Sequence, residues 1–218
     1  MTERRRSRGS SPETRAAWRT MYERSAYTQL PWFSPRPSPE VVRAVADRVW
    51  PRGGALLDIG CGAGSNLRFL AQRGFEAHGI DLSPVAVAAA QERAARAGVA
   101  IDARVGDALA LAFPRGRFDG AIDIGCFHTL PIPRRAQYRE ELYRVLRPGA
   151  TLVLLWAARE SRRPLGPPHR PSLEELATAL EARFLFEATR FVRATRPGGL
   201  EVYVGRLRRR DRPRPPVR

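Results

Sequence analysis

The chain has 218 residues, 43% of them hydrophobic, enough for one sizeable core and short for two. No apolar run reaches the roughly 18 residues that cross a bilayer. The Arg-rich start has no apolar stretch behind it, and Cys61 and Cys126 make neither a disulfide framework nor a metal-ligand set. A soluble cytoplasmic protein with no bound metal is expected. The net charge of +16 suggests nucleic acid until it is located. All 38 basic residues are arginine, and residues 1–15 and 206–218 together carry +9 of the total. That pattern reads as compositional bias, so residues 1–15 and 208–218 are expected to be disordered tails flanking one domain over 16–207.

In chain order, the spacing of Ala16, Ala17, Met21 and Tyr22 predicts a short helix from Pro12 to Ser25. A Pro-rich stretch, Pro31 to Pro39, opens a second helix from Glu40 to Val49, with Ser38 as N-cap and Pro39 in the first turn. Residues 16–50 read as a helical lid. The rhythm then alternates. Strands are expected at 55–59, 77–81, 101–105, 118–123 and 151–156, and helices at 65–73, 83–97, 133–145 and 172–183. Two last strands follow, near 186–192 and 201–206. Gly98 closes one helix, and Ser172 with Glu175 forms a capping box on another. Strands separated by helices imply βαβ units and a mainly parallel sheet of the α/β class. Trp50 and Trp156 are expected in the core, and Cys126 as a small buried hydrophobe.

The informative turn is Asp58-Ile59-Gly60-Cys61-Gly62-Ala63-Gly64-Ser65. A dinucleotide fingerprint needs a third glycine at 65, where Ser65 stands. Asp58, two residues before the first glycine, would repel a pyrophosphate and attract an aminoacyl sulfonium with its ammonium. Asp81 ends the next strand, where a carboxylate can accept both ribose hydroxyls, and Asp107 ends the third, within reach of an adenine amino group. All three acids fall on the carboxyl edge of the sheet, where doubly wound folds bind ligands.

These segments resemble the Rossmann-like class I S-adenosylmethionine-dependent methyltransferases, from about Trp18 to Arg206. The resemblance implies a three-layer fold with a seven-stranded sheet whose last strand is antiparallel. It implies that Gly60, Gly62 and Gly64 wrap the methionine moiety, that Asp81 and Leu82 hold the ribose, and that Gly106, Asp107 and Ala108 hold the adenine. Trp32 and Asp123 complete the implied cofactor set. Arg144 to Ala150 resembles the family's turn before strand five. After strand four, Asp123-Ile124-Gly125-Cys126-Phe127-His128 carries no Asn/Asp-Pro-Pro-aromatic motif, which counts against methylation of nucleic-acid bases. The segment is similar to the small-molecule branch that includes thiopurine, thiol and tellurite-resistance methyltransferases. That branch implies acceptor contacts from Trp32, Phe33, Phe127, His128, His169 and Arg170. An ionised thiol needs no base; a hydroxyl acceptor would need one, and His128 is the candidate. The expected activity is methyl transfer by in-line displacement to a small-molecule acceptor at S, O or N, in a monomer or homodimer. A nucleic-acid or protein methyltransferase using the basic tails, and a non-catalytic cofactor-binding protein, are the alternatives.

Overall fold

The computed structural model describes residues 9–159, 170–192 and 201–213. Its strands are β1 (Ala55–Ile59), β2 (Glu76–Asp81), β3 (Asp102–Val105), β4 (Phe118–Ile124), β5 (Leu146–Ala157), β6 (Phe184–Val192) and β7 (Val202–Arg209). The helices are α1 (Pro12–Arg24), α2 (Pro39–Ala46), α3 (Ser65–Gln72), α4 (Pro84–Arg96), α5 (Arg135–Val145) and α6 (Leu173–Leu180), with short 3-10 turns at Phe127–Thr129 and Ile132–Arg134. All seven strands form one sheet in the order β3-β2-β1-β4-β5-β7-β6. Neighbours from β3 to β5 pair in parallel, and β7 runs antiparallel between β5 and β6. This is the seven-stranded, mostly parallel sheet that the strand-helix alternation implies.

Every residue of β1 is buried, because α2, α3 and α4 cover one face while α5 and α6 cover the other. Leu57 and Ile59 join the layer with Tyr138, Leu142 and Leu176; Leu56 joins the layer with Val41, Leu67 and Val87. Trp50 and Trp156 lie in these layers, as expected. The predicted caps hold. Ser38, Ser83 and Ser172 each accept from the first turn of α2, α4 and α6, and the capping box of Ser172 and Glu175 is complete. Strand order reverses beside β1, between β2 and β4, and that switch point opens the carboxyl-edge crevice.

Three boundaries differ from the sequence expectation. The helix α1 starts at Pro12, as its spacing predicts, and is capped by Ser11, so residues 12–15 belong to it and not to the tail expected over 1–15. The strand β7 runs through Arg208 and Arg209, which pair with β6 and so do not begin a disordered tail. Arg209 is buried with its guanidinium 3.9 Å from the centre of the Tyr143 ring, its aliphatic stem packed inward. The strand β5 begins at Leu146, with an irregular register before Thr151, so the turn read at 144–150 partly belongs to the sheet.

Candidate cofactor and acceptor site

The glycine turn after β1 folds back on β2, with Gly60 and Cys61 both donating to the Ile80 carbonyl. Gly64 takes a left-handed φ of 73°, and a Cβ there would stand 2.7 Å from Ala90 Cβ, so only glycine lets α3 start this close to α4. A Cβ at Gly60 would stand 2.9 Å from Cys126 Cβ, which shows how tightly the loop after β4 is stacked on this turn.

Asp58 ends up 1% exposed beneath the turn. Asn66, whose Oδ1 accepts from Ser38 N–H at 2.9 Å, turns its amide toward Asp58, but Asp58 Oδ2 has no hydrogen-bond partner. Burial, then the charges of Asp123 and Asp81, push its pKa well above the ordinary carboxylate value. A buried carboxylate with an empty acceptor oxygen lacks a cation. The ammonium of an aminoacyl group is such a cation, so these residues fit the methionine end of S-adenosylmethionine.

Asp81 holds the turn as well as facing the crevice: its carboxylate accepts from Gly62 N–H and Ser83 N–H, both at 2.9 Å. Burial raises its pKa, against the pull of those backbone donors. Leu82 beside it is half-buried. Gly106 donates to the Asp81 carbonyl, and Ala108 points into the core, so only backbone at 106 and 108 can meet an adenine. Asp107 is already engaged. Ser10 donates both its N–H and its hydroxyl to the carboxylate, Leu109 N–H adds a third bond, and Arg15 lies 3.7 Å away. The N-terminal segment therefore sits where the sequence places the adenine amino group.

Asp123 is fully buried and faces away from the crevice. Its oxygens accept from Cys126 N–H, Phe127 N–H and the Tyr138 hydroxyl, at 2.8, 3.1 and 2.6 Å, so it ties the loop to α5 and leaves no oxygen for the cofactor. Burial raises its pKa to about 6. Phe127, expected to line the acceptor pocket, is 0% exposed and packs edge-on against Tyr138. Asp123 is buried on β4 itself, and the bonds it accepts hold the following 3-10 turn so that Phe127 is buried beside it.

His128 also departs from its expected role as base. Ala157 N–H donates to Nδ1 at 2.9 Å, so the neutral ring carries its proton on Nε2 and cannot take another without becoming a cation. Burial, joined by the charges of Arg135 and Arg170, pushes its pKa down to about 4. A group so placed donates a hydrogen bond from Nε2.

The lid segment is fastened to α3 and α4. Ser65 Oγ donates to the Ser34 carbonyl at 2.5 Å, and Arg68 and Arg93 donate to the Pro35 carbonyl at 2.9 and 3.3 Å. Phe33 lies under the Arg93 guanidinium and against Tyr27, away from the acceptor side. Trp32 is 49% exposed and donates from Nε1 to the Tyr22 hydroxyl at 3.1 Å. Tyr22, read in the sequence only as part of the first helix's spacing, is the residue standing over the turn, its hydroxyl 3.4 Å from where a Cβ of Gly62 would be. Cys126 is partly buried against the core. Arg170 begins the described segment before α6, and His169 lies outside the described residues. Among the described residues no helix is long and apolar enough to cross a membrane.

The comparisons with known proteins agree with this geometry. Residues 56–149 match the model of the family described as "Methyltransferase domain". The chain is 32% identical, over 149 residues, to the 2-heptyl-1-hydroxyquinolin-4(1H)-one methyltransferase of Mycobacteroides abscessus, covering 68% of this chain and 60% of that one. It is 37% identical to the 2-methyl-6-phytyl-1,4-hydroquinone methyltransferase of Synechocystis, covering 58% and 40%. The chain thus spans less than two thirds of the length of either relative. A solved structure from work on conversion of a disulfide bond into a thioacetal group during echinomycin biosynthesis superposes with a TM-score of 0.78 at 26% identity, covering 90% of this chain and 92% of that one. The 1,6-didemethyltoxoflavin-N1-methyltransferase of Burkholderia thailandensis, solved with S-adenosylhomocysteine, shares the fold at a TM-score of 0.72 and 23% identity, covering 93% and 92%. The turn, the unpaired Asp58 and the match over 56–149 together identify this part of the chain as a methyltransferase domain of the Rossmann-like, S-adenosylmethionine-dependent class.

Proposed function

We propose that the chain methylates a small-molecule acceptor at an oxygen or sulfur that arrives ionised. The Asp58 oxygen left unpartnered among the described residues carries the cofactor half of this reading, because a cation at the methionine end of the turn would pair with it. When bound, S-adenosylmethionine supplies an electrophilic methyl group on a cationic sulfur. Asp58 would hold its ammonium, Asp81 the ribose, and Asp107 the adenine once Ser10 withdraws. His128 would donate from Nε2 to the acceptor and fix its approach, and exclusion of water would provide much of the rest.

Two of the relatives are named for hydroxyquinolone and hydroquinone acceptors, which supports a small aromatic substrate. Thiol acceptors of the thiopurine-like branch stay within the proposal, since a thiolate also needs no base. The protein is taken to act in the cytoplasm as a monomer or homodimer. The test is incubation of the full chain with methyl-labelled S-adenosylmethionine against phenol, thiol, amine and RNA panels. Label transfer to phenols or thiols is expected; transfer to RNA alone would overturn the reading.

A further inference from the structure

Beside the loop that carries His128 lies a buried charge with unpaired donors among the described residues. Arg135, the first residue of α5, is 3% exposed, and its Nε and Nη2 have no hydrogen-bond partner among the described residues. Its guanidinium lies 5.0 Å from the centre of the Phe127 ring. Glu175, whose negative charge reaches it, uses one oxygen, Oε2, both to cap α6 through Ser172 N–H and to pair with Arg159, and makes no hydrogen bond to the guanidinium. A buried guanidinium is retained without a partner only where something else supplies the anion.

Its position says what that anion meets. Phe127 and His128 lie on the same 3-10 turn, which Asp123 ties down and which Cys126 presses against Gly60 of the cofactor turn. His128 presents Nε2–H close to Gly125, and the positive charges of Arg135 and Arg170 both reach its ring. Next to a row of acids that suits the cationic end of a cofactor, the molecule thus places one hydrogen-bond donor and two cations.

We propose that Arg135 is the anion-holding residue of the acceptor site, and that the acceptor binds as an ionised acidic hydroxyl of the phenolate type. The inference rests on the methyltransferase reading above and adds the charge state of its substrate. A phenolate is favoured over a carboxylate handle because His128 has no free nitrogen to take a proton, so the reacting oxygen must enter already deprotonated. Bringing an anion to a cationic methyl donor in a dry crevice also cancels charge as the bond forms, which a water-poor site favours.

The test uses the full chain saturated with S-adenosylhomocysteine and titrated with 4-nitrophenolate, benzoate and neutral 4-nitroanisole. Arg135→Met should weaken 4-nitrophenolate at least tenfold, Arg135→Lys should retain part of the affinity, and 4-nitroanisole should bind both variants like the parent. Because Nε and Nη2 have no hydrogen-bond partner among the described residues and methionine can keep the contact with Phe127, Arg135→Met should melt no lower than the parent, a result that a salt-bridged arginine would not give. Equal 4-nitrophenolate affinity in Arg135→Met and parent, or Arg135 dependence for benzoate alone, would overturn the proposal. Failure of the parent to bind S-adenosylhomocysteine would instead strike the methyltransferase reading, so the two failures are separable.

Discussion

Replacing Asp58 by Asn should move stability and cofactor affinity in opposite directions. Asp58 is almost wholly buried, one oxygen has no partner, and its pKa is raised by burial, Asp123 and Asp81. An acid whose folded pKa lies above its unfolded value costs nothing below the unfolded pKa. The cost grows as pH rises between the two values and is complete above the folded one, at about 1.4 kcal/mol per unit of difference. Asn removes the charge while keeping the shape and the contact with Asn66. The variant should therefore match the parent in melting temperature near about pH 4 and exceed it increasingly as the pH rises. Cofactor binding should suffer instead. A hydrogen bond between this carboxylate and an ammonium contributes about 1.5–3 kcal/mol, so its loss should weaken S-adenosylhomocysteine roughly 10- to 150-fold. Binding to the parent should also release a proton, because the ammonium favours the ionised carboxyl, and parental affinity should rise with pH until Asp58 ionises unaided. Calorimetry in two buffers of different ionisation enthalpy reads both quantities. Unchanged affinity, or the same proton release from Asp58→Asn as from the parent, would refute the assignment.

Asp81→Ala should lose the ribose contacts and loosen the turn that its carboxylate holds through Gly62, weakening S-adenosylhomocysteine well over tenfold; calorimetric affinity equal to the parent's would remove Asp81 from the site. His128 has its pKa near 4, so kcat/KM should show no imidazole limb from roughly pH 5 to 8, while His128→Phe should cost about ten- to a hundredfold through the lost donor. A limb in the parent that vanishes in His128→Phe would restore the ring as a base. Removing residues 1–10 takes Ser10 off Asp107 and should tighten S-adenosylhomocysteine severalfold in the same calorimetric assay. Weaker binding after the deletion would mean that Ser10 helps to hold the ligand.

The sheet and the cofactor turn were legible because their signals are local. Apolar runs of strand length, serines before helix starts and glycines after β1 each act through neighbouring residues, and β1 spans the predicted Ala55–Ile59. The acceptor side was less legible because it depends on side-chain direction. Phe127 and Asp123 look like site residues in sequence, yet Asp123 is buried on β4 and Phe127 on the 3-10 turn after it. His128 was found, but its tautomer is set by Ala157 N–H, 29 positions away. Arg135 was hidden among the 38 arginines, because sequence does not show that its side chain is buried with two unpaired donors. The same abundance hid the end of β7, where Arg208 and Arg209 continue the backbone ladder with β6 in a run that reads as solvent-exposed.

The place of β7 in the sheet governs how the chain can assemble. Because β7 lies between β5 and β6, β6 is made before the strand that attaches it, and the edge of β5 stays open until residues 202–209 exist. That edge belongs to a strand with Leu152, Val153, Leu154 and Trp156 all buried in the finished fold, the kind of surface that pairs with other chains when left bare. Nucleation can begin among β1, β2 and β4 with their local helices, but sealing the sheet requires Thr151 to meet Arg208 across a long loop closure. Substitutions that weaken β7 should thus reduce the yield of native protein through aggregation on the way to the fold, even where the finished cofactor turn is untouched.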